Sequence, residues 1–287
     1  MDCSVTVRPA RDGDEKLMLE FWASVDGDIS LCDHKANMVL DPNYLMVAVD
    51  KNDEPVGYGG LTQATSDIFY LGNFIVREDL RGKGIGKLIW QALLGRAGDR
   101  NIALDAVTYM EDWYAKNGFK FRSSKVGFFK VCVNEEMKKN VPSEYTCRDL
   151  TDDIWPMVIK YDGKIYPTLD RERILRAWFG VDGTRAVVAL HGNKVVGYGS
   201  IHEQTKQKYG VRNVLADNGS VVEVILRELF KDLPESTVVR FIKMEDKPLP
   251  KYLEHSIAGS FTSLRMYNKY PVEGIVDKMW LTSAHIL

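Results

Sequence analysis

The stretch FIVREDLRGKGIGKLIWQAL, residues 74–93, decides how the rest of the chain is read. Phe74, Ile75 and Val76 are strand formers, and Leu88, Ile89, Ala92 and Leu93 recur at helical spacing on one face. Between them, Gly82, Gly84 and Gly86 take three of five positions, which predicts a strand-to-helix turn whose backbone can approach a ligand closely. A helix start behind that turn offers unpaired N–H groups and about half a positive charge. Arg81, Gly82, Lys83, Gly84, Ile85, Gly86 and Lys87 are therefore expected to cradle pyrophosphate oxygens, with the two lysines complementing phosphate charge. Two common nucleotide loops do not fit. A Walker loop requires Gly where Arg81 stands and Ser or Thr where Leu88 stands, and a dinucleotide fingerprint begun at Gly82 requires Gly where Lys87 stands.

Outward from this loop the pattern is mixed. VTVRPA alternates as a strand, and DGDEKLMLEFWASV places Leu17, Phe21 and Trp22 at helical spacing after an acidic start. YLMVAVDKNDEPVGYGGLTQA is two β-rich runs around Asn52-Asp53, a hairpin. After the loop helix come the strand IALDAV, the short helix EDWYAKNGF ending at Gly118, and the strand GFFKVCV. Antiparallel strands followed by a strand-helix-strand crossover make a mixed α/β layer structure, with a mostly antiparallel sheet flanked by helices.

The chain also repeats itself. VAVDKNDEPVGYGG, ending at Gly60, is echoed by VVALHGNKVVGYGS, ending at Ser200, and Gly57 and Gly197 are 140 positions apart. Thr6 and Arg8 have counterparts Thr146 and Arg148 at the same offset. Two related domains are expected, residues 1–135 and 145–287, joined through the charged, apolar-poor NEEMKKNVPSE. In the second copy the place of the glycine loop is taken by Val214-Leu215-Ala216-Asp217-Asn218-Gly219-Ser220, with one glycine and an Asp217 that would repel pyrophosphate. The second copy is thus expected to keep the fold while losing the phosphate cradle, and to serve as an acceptor wall or a structural partner.

Composition sets the outer bounds. The 287 residues are 45% hydrophobic and 27% charged, which excludes disordered and fibrous classes. Lys plus Arg number 38 against 40 Asp plus Glu, a net charge of -2, so no global basic field collects nucleic acid or an anionic membrane. Cys3, Cys32, Cys132 and Cys147 form no CxxC or Cys/His cluster, so neither a disulfide framework nor a zinc site is indicated, and no metal is expected. Without a signal-like start or a run of about 18 apolar residues, a cytoplasmic protein is expected.

The residues carry a resemblance. The loop resembles the acyl-CoA loop of the GNAT superfamily of N-acyltransferases, whose Arg/Gln-x-x-Gly-x-Gly/Ala pattern is met by Arg81, Gly84 and Gly86. The preceding hairpin stands at the customary distance, and WYAKNGFKF is similar to the family's Tyr-x-Lys-x-Gly-Phe ending, so about residues 4–133 are covered. Where the family often has an Asn seven residues before that Tyr, this chain has Val107. The second half, including YDGKIYPTLDRERILRAWF, more loosely resembles a YitH-type C-terminal GNAT domain. The resemblance implies tandem GNAT folds with acetyl-CoA as cosubstrate. It implies that pantetheine pairs with backbone groups of Phe74, Ile75 and Val76, and that Tyr114 protonates the leaving thiolate.

Acyl transfer to an amine with a pKa of about 10 also needs a proton acceptor. Asp105 and Glu111 are the candidates. Asp28, Asp33 and His34 lie in SVDGDISLCDHKANMVLDPNY, whose Asp, Asn and Pro content reads as a loop and whose acidity would suit a cationic acceptor. The expected activity is N-acetyltransfer from acetyl-CoA to a small amine: an arylalkylamine, polyamine, amino sugar or amino acid. An acyl-CoA sensor without turnover and a protein acetyltransferase are the alternatives, and an intact Tyr114 beside an intact loop favours the enzyme.

Overall fold

A computed structural model describes residues 5–24, 30–205, 208–254, 257–272 and 274–282. In chain order the first half contains β1 (Thr6–Pro9), α1 (Asp14–Ser24), α2 (Leu31–Leu40), β2 (Leu45–Val49), β3 (Pro55–Gln63), β4 (Ile68–Val76), α3 (Ile85–Ala97), β5 (Asn101–Val107), α4 (Glu111–Lys116) and β6 (Phe121–Cys132). A short α5 (Glu135–Lys138) leads to β7 (Thr146–Asp149), α6 (Trp155–Ile165), α7 (Glu172–Phe179), β8 (Thr184–His191), β9 (Lys194–Thr205), β10 (Lys208–Ala216), α8 (Gly219–Phe230), β11 (Val238–Met244), α9 (Lys251–Glu254), β12 (Ile257–Tyr267) and β13 (Met279–Thr282).

The thirteen strands of the described residues join one sheet, in the order β1-β2-β3-β4-β5-β12-β6-β11-β13-β10-β9-β8-β7. The expected mixed, mostly antiparallel sheet flanked by helices is the observed architecture. The two halves are interleaved at its centre. β12 lies between β5 and β6, pairing Arg265 with Asp105 and Ser263 with both Val107 and Val126, while β6 pairs with β11 from Cys132↔Val238 to Val126↔Met244.

The repeated Val-Gly-Tyr-Gly has a packing explanation. A Cβ on Gly59 would lie 2.5 Å from Ile89 Cγ2 and 2.8 Å from Leu93 Cδ1, so α3 rests directly on bare backbone. Gly197 likewise lets α8 approach, since its Cβ would meet Val221 Cγ1 at 2.8 Å. The intervening Tyr58 and Tyr198 are fully buried in clusters with α1 and with α6 and α7 respectively. Thus α3 and α8 cover one face of the sheet, and α1, α2, α6 and α7 cover the other.

One local expectation differs from what forms. Residues 31–40 are the helix α2 rather than a loop, because Ser30 and Asp33 make a reciprocal capping box that offsets the poor helix formers around it. Met266 and Tyr267 end strand β12, and the Asn268 side chain beyond them accepts from Ile102 N at 2.6 Å.

The glycine packing is testable by unfolding. Gly59→Ala is expected to lower stability by about 1–3 kcal/mol through overpacking against Ile89 and Leu93. Gly95→Ala, on α3 with nothing within 4 Å of its Cβ position, should stabilise by about 0.5–1 kcal/mol. Equal effects in a urea titration would refute this account.

Candidate active site

β4 and β5 run parallel and pair only from Ile68↔Asn101 to Leu71↔Leu104. Beyond that point β4 continues to Val76 on β3, through Ile75↔Tyr58 and Val76↔Gly57, while β5 continues to Val107 on β12. The facing edges of Phe74–Val76 and Asp105–Val107 therefore open into a V-shaped gap, lined with backbone groups that have no sheet partner across it. Phe74, Ile75 and Val76, expected to receive an extended ligand, line one arm.

The glycine loop closes the end of this gap. Gly82 and Gly84 have φ of 78° and 85°, the left-handed region that favours glycine. Gly84 is the N-cap of α3 without a side-chain capping bond, which leaves the first amides of a 13-residue helix unclaimed by any cap. Arg81 Nε donates to Val76 O at 3.1 Å and ties the loop to the end of β4. Gly82, Lys83 and Lys87 are exposed, Gly86 is half-buried with its Cβ position 3.5 Å from the Phe74 ring, and Ile85 is buried as the anchor of the turn. The arrangement can bind a polyanion at the loop and an extended chain in the gap.

Tyr114 lies on α4, buried in an aromatic group whose centre is Trp90 of α3. Trp90 contacts Phe74 (6.2 Å between centroids), Trp113 (4.9 Å), Tyr114 (5.9 Å) and Phe119 (5.6 Å). Trp90 thus joins the gap arm to the tyrosine helix. Sequence reasoning overlooked it, because a tryptophan in an amphipathic helix signals only core. Burial pushes the Tyr114 hydroxyl up to about 12, with Tyr109 adding to the effect, so it stays protonated at neutral pH.

The other candidates occupy distinct settings. Asp105 is nearly buried, and both its oxygens are engaged: Arg265 of β12 grips it through Nε and Nη2, and the Tyr70 hydroxyl donates to Oδ2 at 2.9 Å. This geometry holds the carboxylate in place. Glu111, the first residue of α4, is half-buried. Asp33 is fully buried in α2, where its carboxylate accepts from Ser30 N and Oγ and lies 3.6 Å from His202 and 3.9 Å from Arg212 of the second half. It caps a helix and joins the halves rather than lining the gap. His34 pairs through Nδ1 with the Tyr44 hydroxyl at 2.7 Å, and burial lowers its pKa, so the ring is neutral at pH 7. Asp28 lies outside the described residues. Among the described residues no group of three or more His, Cys, Asp or Glu is placed to hold a metal ion.

The second half repeats the divergence and then fills it. β10 pairs with β11 only from Lys208↔Val238 to Val211↔Phe241, after which β13 enters, pairing with β10 at Val214↔Leu281 and with β11 at Ile242↔Thr282 and Lys243↔Leu281. The start of α8 is capped by Asn218, whose side chain accepts from Val221 N. Trp280 lies over Gly219 and donates to Ala216 O at 3.1 Å, and Asp217 accepts from Tyr161 (2.9 Å) and Lys278 (2.8 Å). The donors and edges left open in the first half are here occupied by the chain itself.

Comparison with known proteins agrees with this geometry. Residues 28–141 match the family model described as an acetyltransferase (GNAT) domain. A holothin acyltransferase from Pseudoalteromonas sp. (strain SANK 73390) is 25% identical over 238 residues, covering 82% of this chain and 77% of that protein. The fold is similar to that of a putative acetyltransferase from Pyrococcus horikoshii (TM-score 0.75, 20% identity, 99% of this chain and 96% of that one). It is also similar to that of a tandem GNAT protein from the clavulanic acid biosynthesis pathway (TM-score 0.66, 14% identity, 92% and 98%). Residues 28–141 thus match a GNAT acetyltransferase domain, and these matches support an acyltransferase.

Proposed function

We propose that the chain transfers an acetyl group from acetyl-CoA to the primary amine of a small molecule by direct attack. One observation carries this reading: the first-half gap between β4 and β5 ends at a glycine turn and an uncapped helix start. Such a gap suits the two amides of pantetheine, and the loop suits its pyrophosphate.

In this reading Arg81, Gly82, Lys83, Gly84, Ile85, Gly86 and Lys87 hold the pyrophosphate, while Phe74, Ile75 and Val76 pair with the pantetheine arm. Backbone N–H groups near Phe74 polarise the thioester carbonyl as charge develops on it. The acceptor nitrogen attacks that carbon, the C–S bond breaks, and Tyr114 delivers a proton to the thiolate. Glu111, directly or through water, takes the proton from the amine. Asp105 orients the acceptor side through its clamp with Arg265 and Tyr70. Residues 1–135 act as the catalytic unit, although Arg265 reaches it from the second half. Residues 145–287 act as a degenerate GNAT-like unit of the YitH type, whose own gap is closed by β13. No metal takes part in this reading.

Calorimetry is expected to show one acetyl-CoA bound per chain. Gly84→Glu, which forces a side chain into the left-handed region and sets a carboxylate against phosphate, should weaken that binding by about tenfold or more. Unchanged affinity would remove the loop from the site. Tyr114→Phe should leave acetyl-CoA affinity intact and lower kcat by roughly a hundredfold. With its hydroxyl pushed up to about 12, Tyr114 should impose no falling limb on the wild-type rate below pH 11. Full turnover in the Phe variant would exclude it as the acid.

A further inference from the structure

The two halves hold one polar position in two different surroundings. Asn73 and Asn213, 140 positions apart, both have left-handed φ (52° and 48°) and sit where the register of their strand shifts. Both are buried, and the carboxamide nitrogen of each is shielded from solvent without a hydrogen-bond partner. Their neighbours on the sheet face covered by α1, α2, α6 and α7 differ. In the second half these neighbours are Ser200, His202 and Arg212, all buried. Ser200 Oγ donates to Arg212 O, and His202 and Arg212 reach toward Asp33. The positions 140 residues earlier are Gly60, Thr62 and Gly72.

Gly60 and Gly72 are directly paired across β3 and β4, so this part of the first-half floor carries no side chains where the second half carries a serine and an arginine. A Cβ on Gly60 would lie 3.4 Å from Asn73 Nδ2, which places that nitrogen over the bare pair. Asn73 immediately precedes Phe74 at the start of the gap.

We propose that this glycine floor and the Asn73 carboxamide bind the acceptor, with the Asn73 N–H donating to an uncharged oxygen close to the reacting amine, a hydroxyl or an amide carbonyl. The inference rests on the acyl-transfer reading above and narrows its acceptor class. A buried N–H without a partner carries an uncompensated desolvation cost, which a ligand oxygen relieves. The floor itself is neutral, and the nearby carboxylate of Asp105 is held by Arg265, so a second full charge on the acceptor would be buried there without compensation. Amino sugars and amino acid amides fit this chemistry. Polyamines and free amino acids do not.

The test compares thiol release from acetyl-CoA with glucosamine, glycinamide, spermidine and glycine, alongside calorimetric acetyl-CoA affinity. Asn73→Gly keeps the left-handed backbone and removes the carboxamide. It should lower kcat/KM for glucosamine or glycinamide at least about fivefold through KM, with acetyl-CoA affinity unchanged. Gly60→Ser, which copies the second half, should act in the same direction, and Asn213→Gly should leave both quantities as in the wild type. Unchanged kcat/KM in Asn73→Gly, or a wild-type preference for spermidine or glycine, would overturn the proposal. Failure of the wild type to bind acetyl-CoA would overturn the acyl-transfer reading, and this inference with it.

Discussion

Separating two parallel strands in the middle of a sheet exposes two facing rows of backbone donors and acceptors, and buried rows of that kind must be satisfied by something. This constraint recurs twice in the chain. After Leu71↔Leu104 and after Val211↔Phe241 the parallel pairing stops, and an extended segment of matching hydrogen-bond pattern is required in each gap. In the second half β13 meets the requirement from within the chain. In the first half, among the described residues, no strand enters between β4 and β5, and the glycine loop lies at the end of their divergence. The difference between the two halves at this place thus comes down to four residues of strand, with Trp280 and Asn218 closing the helix start behind them.

The exchange of strands makes the first-half site a joint product. Asp105 belongs to β5, but the guanidinium that clamps it comes from β12, 160 positions later. The Asp33 cluster works in the opposite direction, since a helix of the first half is gripped by His202 and Arg212 of the second. The halves are therefore coupled through buried charges on both sides of the sheet centre, where loss of one partner would leave an uncompensated ion.

Much of this organisation was legible in local sequence. The 140-residue echo, the strand-to-helix glycine turn and the tyrosine helix all depend on neighbours within about twenty residues, and periodicity and turn chemistry report such features directly. Legibility stopped where pairing became non-local. Nothing in Ile257–Tyr267 says that it lies beside β5 of the other half, and nothing in Met279–Thr282 marks it as the occupant of a gap. Asp33 reads as an acceptor ligand only while residues 31–40 read as a loop, and Ser30-x-x-Asp33 is the local pattern that caps the helix. Asn73 carried no signal at all until its left-handed backbone and its bare glycine neighbours could be seen together.

The interleaving at β5, β12 and β6 also bears on synthesis. A nascent chain that has emerged only as far as residue 132 has made six of its strands, but β5 and β6 each lack the neighbour that stands between them in the finished sheet. Any edge left open there until residue 267 is available is a template for unwanted strand addition. The finished pairing of the first half therefore waits for a strand made more than a hundred residues later.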